Sequence, residues 1–241
     1  GLRHFMGVRE LAEVTVIVPA RMGSTRLPGK PLADVAGKPL IIRVLESLGS
    51  APGVEVHVAT DSPEIAGVVE SRGYHPVITG EASSGTMRVH AAWRLLGCPG
   101  GWVVNLQGDE PFAGMDWVRA LVGAAGGGVS TLASPLAPEE ASNPSSVKVA
   151  VGSRRQALYF SRSVVPWGDG PLLRHDSVYC FTPDSLERCV RAGETPLSRR
   201  ERLEQLAWLE AGVPITVVTG SWNTLGVDTP EDLERVRRLF S

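Results

Sequence analysis

Along the first half of the chain, short unbroken apolar runs alternate with stretches of helical periodicity. Val14-Thr15-Val16-Ile17-Val18-Pro19-Ala20 carries no charge and is rich in β-branched residues, the pattern of a strand buried on both faces. After a loop of glycines and cations, Leu40, Ile41, Val44, Leu45 and Leu48 fall on one stripe of a helix over 39–48. The order then repeats. Val54 to Thr60 reads as a strand, and Ser62-Pro63-Glu64 supplies an N-cap, a proline at the first helical position and an acidic first turn for a helix ending near Gly73. A short strand at 75–79, a helix at 86–96 closed by Gly97 and a strand at 102–106 follow. This alternation predicts a doubly wound α/β layer sandwich, a class in which ligands sit beyond the carboxyl ends of the strands.

From Val129 the rhythm changes. Runs at 129–135, 146–151, 157–161 and 177–181 follow one another with little helix between them, which predicts an antiparallel insertion over about 129–183 that covers the site or makes a dimer. Helices are expected at 184–191 and 198–210, a strand at 215–218, and a last helix from Thr229, where Thr229 and Asp232 have capping-box spacing with Asp in place of Glu. Gly123 to Gly128 is too short for a domain linker and no long internal repeat is visible, so 1–241 reads as one domain.

Composition narrows the function classes. The 24 Lys and Arg against 26 Asp and Glu give a net charge of −2, which argues against a general nucleic-acid binder. The apolar runs fall far short of a membrane span. Residues 1–8 lack the apolar run and small-residue site of a secretory leader, so a cytoplasmic location is expected. Cys98, Cys180 and Cys189 form no metal or disulfide pattern and read as small core residues of a reducing compartment.

Three places carry candidate chemistry. The loop after the first strand holds Arg21, Arg26 and Lys30 with Gly23, Ser24 and Gly29, which suits a polyphosphate: glycines admit close backbone approach, arginines bind phosphate bidentately and lysine adds a point charge. The spacing is not that of a P-loop, since Pro31 follows Lys30, and on composition alone a solvated basic loop fits as well. Asp109, at the end of an apolar strand, and Asp228, before the last helix, could together hold Mg²⁺ against substrate phosphates. Taken alone, each motif reads better without a metal, Asp228 as an acidic residue beside a helix N-terminus favoured by the dipole.

These residues stand in an ordered series of motifs: P-A-R-M-G-S-T-R-L-P-G-K-P-L at 19–32, V-A-T-D at 58–61, S-G-T-M-R at 84–88, N-L-Q-G-D-E-P at 105–111, N-P-S-S-V-K-V at 143–149, A-L-Y-F-S-R-S-V-V-P-W at 157–167, R-L-E-Q-L at 202–206 and G-V-D-T-P-E-D-L-E at 226–234. In that order, over essentially its whole length, the sequence resembles the 3-deoxy-D-manno-octulosonate (KDO) cytidylyltransferases of lipopolysaccharide assembly. The resemblance implies a Rossmann-like nucleotidyltransferase fold, a three-layer α/β/α sandwich with a mixed sheet, and a homodimer. It implies that Arg21, Ser24, Arg26 and Lys30 hold the phosphates of CTP, that Thr60, Asp61, Ser84 and Arg88 form the nucleoside side with Gln107 nearby, and that Asp109 and Asp228 hold Mg²⁺. It assigns Arg21, Lys30, Asp109 and Asp228 to catalysis, and Arg162, His175, Tyr179, Glu204 and Gln205 to the sugar side, with Trp167 close in the chain.

The chain departs from the family pattern at Met87, where an acid is usual, at Ser177, where glycine is usual, and at Ser198, where glutamate is common. Two of these departures lie on the sugar side. The expected reaction is attack by the anomeric hydroxyl of a 2-keto-3-deoxy sugar acid on the α-phosphorus of CTP. Its rivals are the same chemistry on another acid sugar such as 8-amino-KDO or a nonulosonate, transfer to a sugar 1-phosphate, and a non-catalytic nucleotide-sugar binding module. Retention of both carboxylates argues against the last of these.

Overall fold

The computed structural model describes residues 13–24 and 26–241; the leader expectation, which concerns residues 1–8, lies outside them. The chain runs β1 (Val14–Pro19), β2 (Asp34–Val35), β3 (Lys38–Pro39), α1 (Leu40–Leu48), β4 (Val54–Thr60), α2 (Pro63–Ser71), β5 (His75–Ile78), α3 (Gly85–Leu95), β6 (Trp102–Asn105) and α4 (Met115–Ala125). It continues with β7 (Val129–Leu136), β8 (Lys148–Val151), β9 (Ala157–Ser161), β10 (Leu172–Phe181), α5 (Pro183–Ala192), α6 (Pro196–Glu201), α7 (Glu204–Glu210), β11 (Ile215–Thr219) and α8 (Pro230–Leu239). One nine-stranded sheet has the main order β11-β7-β10-β6-β1-β4-β5, with β8 and β9 off this path.

Strands β6, β1, β4 and β5 are mutually parallel, and β10 enters antiparallel between β6 and β7. Alternation along β1 places Val14, Val16 and Val18 on one face and Ile17 on the other. The first face packs on α1, α2 and α4 through Ile41, Leu45, Ile65, Val69, Trp117 and Leu121. The second packs on α3, α5 and α7 through Val89, Trp93, Leu186, Leu206 and Trp208. Two apolar faces covered by helices make the three-layer mixed α/β sandwich that the resemblance implied.

Local signals account for several boundaries. The Ser62 side chain accepts the Ile65 N–H at 3.3 Å with Pro63 at the first helical position. Ser84 caps α3 by accepting from Met87 N at 3.2 Å, and Gly97 turns the chain away with φ of +85°. The expected box at α8 is present: Asp232 N donates to Thr229 Oγ1 at 3.2 Å, and Thr229 N donates back to Asp232 Oδ2 at 3.0 Å.

Four expectations need correction. The segment 129–183 is not a covering ribbon: β7 and β10 lie within the main sheet, β7 paired parallel to β11, and the β8–β9 pair alone stands off its path. β10 also starts at Leu172 rather than Ser177, because Leu172 to Asp176 pair with β7 before a register shift ahead of Tyr179. The segment 198–210 is two helices, since Arg202 takes a left-handed conformation with φ of +56° and Leu203 starts a new turn. Cys180 and Cys189 are core residues, but Cys98 is exposed, in the turn leaving α3 with φ of +55°. Helix α4 had no counterpart in the apolar pattern, although Trp117, Val118 and Leu121 are fully inside.

Candidate functional site

The carboxyl ends of β1 and β6 approach so closely that a side chain has no room at Gly108: a Cβ there would lie 2.8 Å from the Pro19 carbonyl. This contact sets Asp109 beside the first loop. The loop is itself braced, with Ser24 N and Gly29 N both bonded to Met22 O, and Ser24 Oγ accepting from Leu27 N at 3.3 Å. Gly29, at φ of +68°, turns the chain into the short helical segment that carries Lys30. Asp228 arrives from the far end of the sequence because Val227 N donates to Asp109 O at 2.9 Å.

Lys30 Nζ lies 2.6 Å from Asp109 Oδ2 and 3.2 Å from Asp228 Oδ1, and Arg26 reaches Asp228 Oδ2 at 3.2 Å. Burial works against the lysine charge, yet the two carboxylates outweigh it and raise its pKa. The Arg26 contact is exposed on both sides and contributes little stability of its own.

Around this pair opens a cavity of about 310 Å³ lined by Arg21, Ser24, Arg26, Lys30, Ser84, Arg88, Gln107, Asp109 and Asp228, among others. Nearly every residue that the resemblance implied for phosphate, nucleoside and metal therefore meets in one place. Thr60 and Asp61 do not line it. Thr60 is buried and its hydroxyl accepts Ser62 N at 3.1 Å; Asp61 acts through Arg88, whose Nη2 it holds at 2.6 Å while Nη1 donates to Thr79 Oγ1 at 2.7 Å. Met87, in place of the family's acid, is 37% exposed and outside this cavity.

A second cavity of about 700 Å³ shares Arg26, Gln107, Asp109 and Asp228 with the first and extends over β10 to Glu110, Asn143, Ser146, Arg174, His175, Asp176, Ser177 and Thr224. Of the sugar-side residues the resemblance implied, His175 alone lines it. His175 is buried, its Nε2 is 2.9 Å from Thr131 Oγ1 and its Nδ1 is 3.4 Å from Gln205 Nε2, and burial pushes its pKa down to about 3, so it is neutral.

The other four do not line this second cavity. Tyr179 is core, edge-on to Trp208 with ring centroids 5.0 Å apart. Gln205 is buried against His175. Glu204 accepts from Ser84 Oγ at 2.8 Å and Thr86 Oγ1 at 2.7 Å, anchoring the start of α3, and burial raises its pKa against those hydrogen bonds. Arg162 donates to the carbonyls of Glu201, Pro144 and Arg202, and Trp167 is 97% exposed. Both Glu204 and Gln205 are internal because the break at Arg202 turns α7 relative to α6. A single helix through 198–210 would have sent one of them to solvent.

Sequence reasoning missed Glu110, Arg174, Asp176 and Thr224. Glu110 follows Asp109 directly; burial first, then Asp109 and Asp176, push its pKa up to about 8. Arg174 precedes His175 and sits on the same strand face as Asp176, a signal available from the period of two once the strand is begun at Leu172.

Comparison with known proteins fits this layout. A cytidylyltransferase family model matches residues 15–215. A 3-deoxy-manno-octulosonate cytidylyltransferase of Anaeromyxobacter dehalogenans is 45% identical over 239 residues, covering 96% of this chain and 99% of that protein. The chain belongs to the cytidylyltransferase family. Another cytidylyltransferase of the same description, from Brucella ovis, is 43% identical over 93% of this chain and 94% of its own. A solved structure of CMP:2-keto-3-deoxy-manno-octonic acid synthetase complexed with CTP superposes with a TM-score of 0.87 at 37% identity, over 95% of this chain and 98% of that one. Among the described residues of this cytidylyltransferase, no helix is long and apolar enough to cross a membrane.

Proposed function

We propose that the protein transfers the cytidylyl group of CTP to 3-deoxy-manno-octulosonate, releasing pyrophosphate and forming the activated sugar used in lipopolysaccharide synthesis. The observation that carries this reading is the shared wall: Arg26, Gln107, Asp109 and Asp228 line both cavities, so a triphosphate in the first and an acceptor in the second meet at the carboxylate pair. The anomeric oxygen would form the new bond to the α-phosphorus, the bond from that phosphorus to pyrophosphate would break, and the hydroxyl proton would leave to solvent. Arg21 and Lys30 stand where the departing negative charge develops.

The donor set fits Mg²⁺. Lys30 shows that Asp109 and Asp228 converge on one cation position. No group of three or more His, Cys, Asp or Glu at metal-binding distance occurs among the described residues, and two carboxylates with phosphate oxygens and water are the usual company of this ion. Bound there, Mg²⁺ would polarise the phosphates and lower the pKa of the attacking hydroxyl. Lys30, now paired with both carboxylates, would be free to meet the triphosphate once they held a metal. Ser24 stays within the loop as its brace, and Arg88, fixed by Asp61 and Thr79, forms the rigid floor.

We also propose a homodimer in the cytoplasm, where CTP is available. Leu158 and Val164, 58% and 47% exposed, and Trp167 are large apolar side chains open to solvent on and after β9, which supports contact with a second copy. Pyrophosphate release from CTP with KDO, 8-amino-KDO and a nonulosonate tests the function. Release with KDO is expected, release with another acid sugar alone would reassign the acceptor, and CTP binding without release from any would leave a binding module. A light-scattering mass of one chain would remove the dimer.

A further inference from the structure

The second cavity must accept an anion beside other anions. Any 2-keto sugar acid carries its carboxylate on the carbon that bears the attacking hydroxyl, so this group comes to rest near Asp109, Asp228 and the triphosphate. Uncompensated, that approach is repulsive. The cations lining the cavity are Arg26, Arg174 and Arg235. Arg26 is engaged with Asp228 and also lines the first cavity, while Arg235 is on the rim, half exposed and paired with Asp232 at 2.9 Å.

Arg174 is different in kind. Its side chain is 33% exposed, and Nε donates to Asp176 Oδ1 at 3.1 Å while Nη2 donates to Thr224 Oγ1. Asp176 has a side chain only 3% exposed and is itself fixed, accepting from Ser134 Oγ at 2.6 Å and Thr224 Oγ1 at 3.2 Å. These contacts occupy one edge of the guanidinium and set its plane. Nη1 makes no hydrogen bond to another described residue, and Arg174 lines the cavity, so the donors of its remaining edge are left for a ligand there. A planar pair of donors is the partner a carboxylate takes bidentately.

From this geometry we infer that Arg174 is the specificity-determining anchor for the carboxylate of the acid sugar, and that Asp176 and Thr224 are positioning residues that hold its guanidinium edge toward the cavity. The inference rests on the transferase reading above. It also explains the buried carboxylate at 176: Asp176 orients a cation, which a solvated arginine on the same strand would not need.

The test uses the full chain with CTP, the sugar acid and its carboxamide. Arg174→Met is expected to raise KM for the sugar acid about 10- to 100-fold, the range of a lost charge-assisted pair, with KM for CTP unchanged. Wild type should prefer the acid to the carboxamide strongly, and Arg174→Met should lose that preference, which a residue that merely braced β10 would not cause. Thr224→Val keeps the charge and serves if Arg174→Met fails to fold; a rise in KM for the sugar acid alone is expected. Unchanged KM for the sugar acid, or a carboxamide preference that survives in the variants, overturns the role of Arg174 while the transferase reading stands. Absence of pyrophosphate release by wild type with every acid sugar overturns the transferase reading and the anchor with it.

Discussion

The two cavities share a wall but are built in opposite ways. The first cavity is assembled from strand ends and one braced loop, Arg26 and Lys30 of that loop meet its carboxylates while Arg88 is buried in its floor, and its acids are few. The sugar side is a set of buried polar contacts between strands far apart in sequence, in which Ser134, Asp176 and Thr224 come together from β7, β10 and the segment after β11. On the proposed reading, one side would bind through charge supplied by a loop, and the other through donors oriented by the sheet. Loss of a cavity residue on the first side should therefore change rate or affinity with little change in fold, whereas loss behind the second should cost stability first.

The sharpest way to break that contrast is Asp109→Asn. Turnover should fall about 1,000-fold, a loss on the scale of removing a transition-state stabiliser, with CTP affinity and thermal stability nearly unchanged. Equal losses of turnover and CTP affinity in steady-state and equilibrium titrations would remove Asp109 from the metal.

Lys30→Met comes next. Its pyrophosphate release should fall about 100-fold, and the nucleotide-free protein should bind Mn²⁺ more tightly than wild type, because no ammonium then competes for the carboxylates. Paramagnetic titration reads the second effect, and weaker Mn²⁺ binding would contradict it.

On the opposite side, Glu204→Ala leaves the Ser84 and Thr86 hydroxyls without their acceptor and should cost about 2–3 kcal/mol in urea unfolding. A variant of full stability but lost activity would instead move Glu204 into direct substrate contact.

The last effect is the pH dependence of His175, which is gradual rather than a single loss. Its pKa falls from 6.5 to about 3 on burial, so the unfolded chain binds the extra proton between these values. Stability from the neutral ring is complete above pH 6.5 and declines as pH falls through the window, by at most about 1.4 kcal/mol per unit. His175→Gln should flatten the wild-type slope of unfolding free energy between pH 6.5 and 4; an unchanged slope would show that another group carries it.

The same contrast governs what could be read in advance. The parallel half was legible because each strand of that half, the loop with Arg21 and Lys30 and the caps at Ser62 and Thr229 are local patterns, and a local pattern needs no knowledge of partners. Asp109 and Asp228 each stand at an element boundary, but that local position alone favours a reading without metal, and only the ordered motifs that carry the resemblance single them out as a pair. The sugar side was not legible, because the burial of Tyr179, Gln205 and Glu204 is decided by which helix covers β10, and the kink at Arg202 is decided by a single left-handed residue. Helix α4 escaped because the glycines at 123 and 126–128 mask its end, while its buried face depends on β7 and β11 across the sheet.

The position of Lys30 has a consequence for how the protein is made. Two aspartates facing each other would repel in the nascent molecule, but the ammonium between them supplies the missing counter-charge from within the chain. The scaffold can thus mature and persist in a medium stripped of divalent ions, and chelation should leave a folded, dormant protein that recovers on addition of metal without passing through the unfolded state.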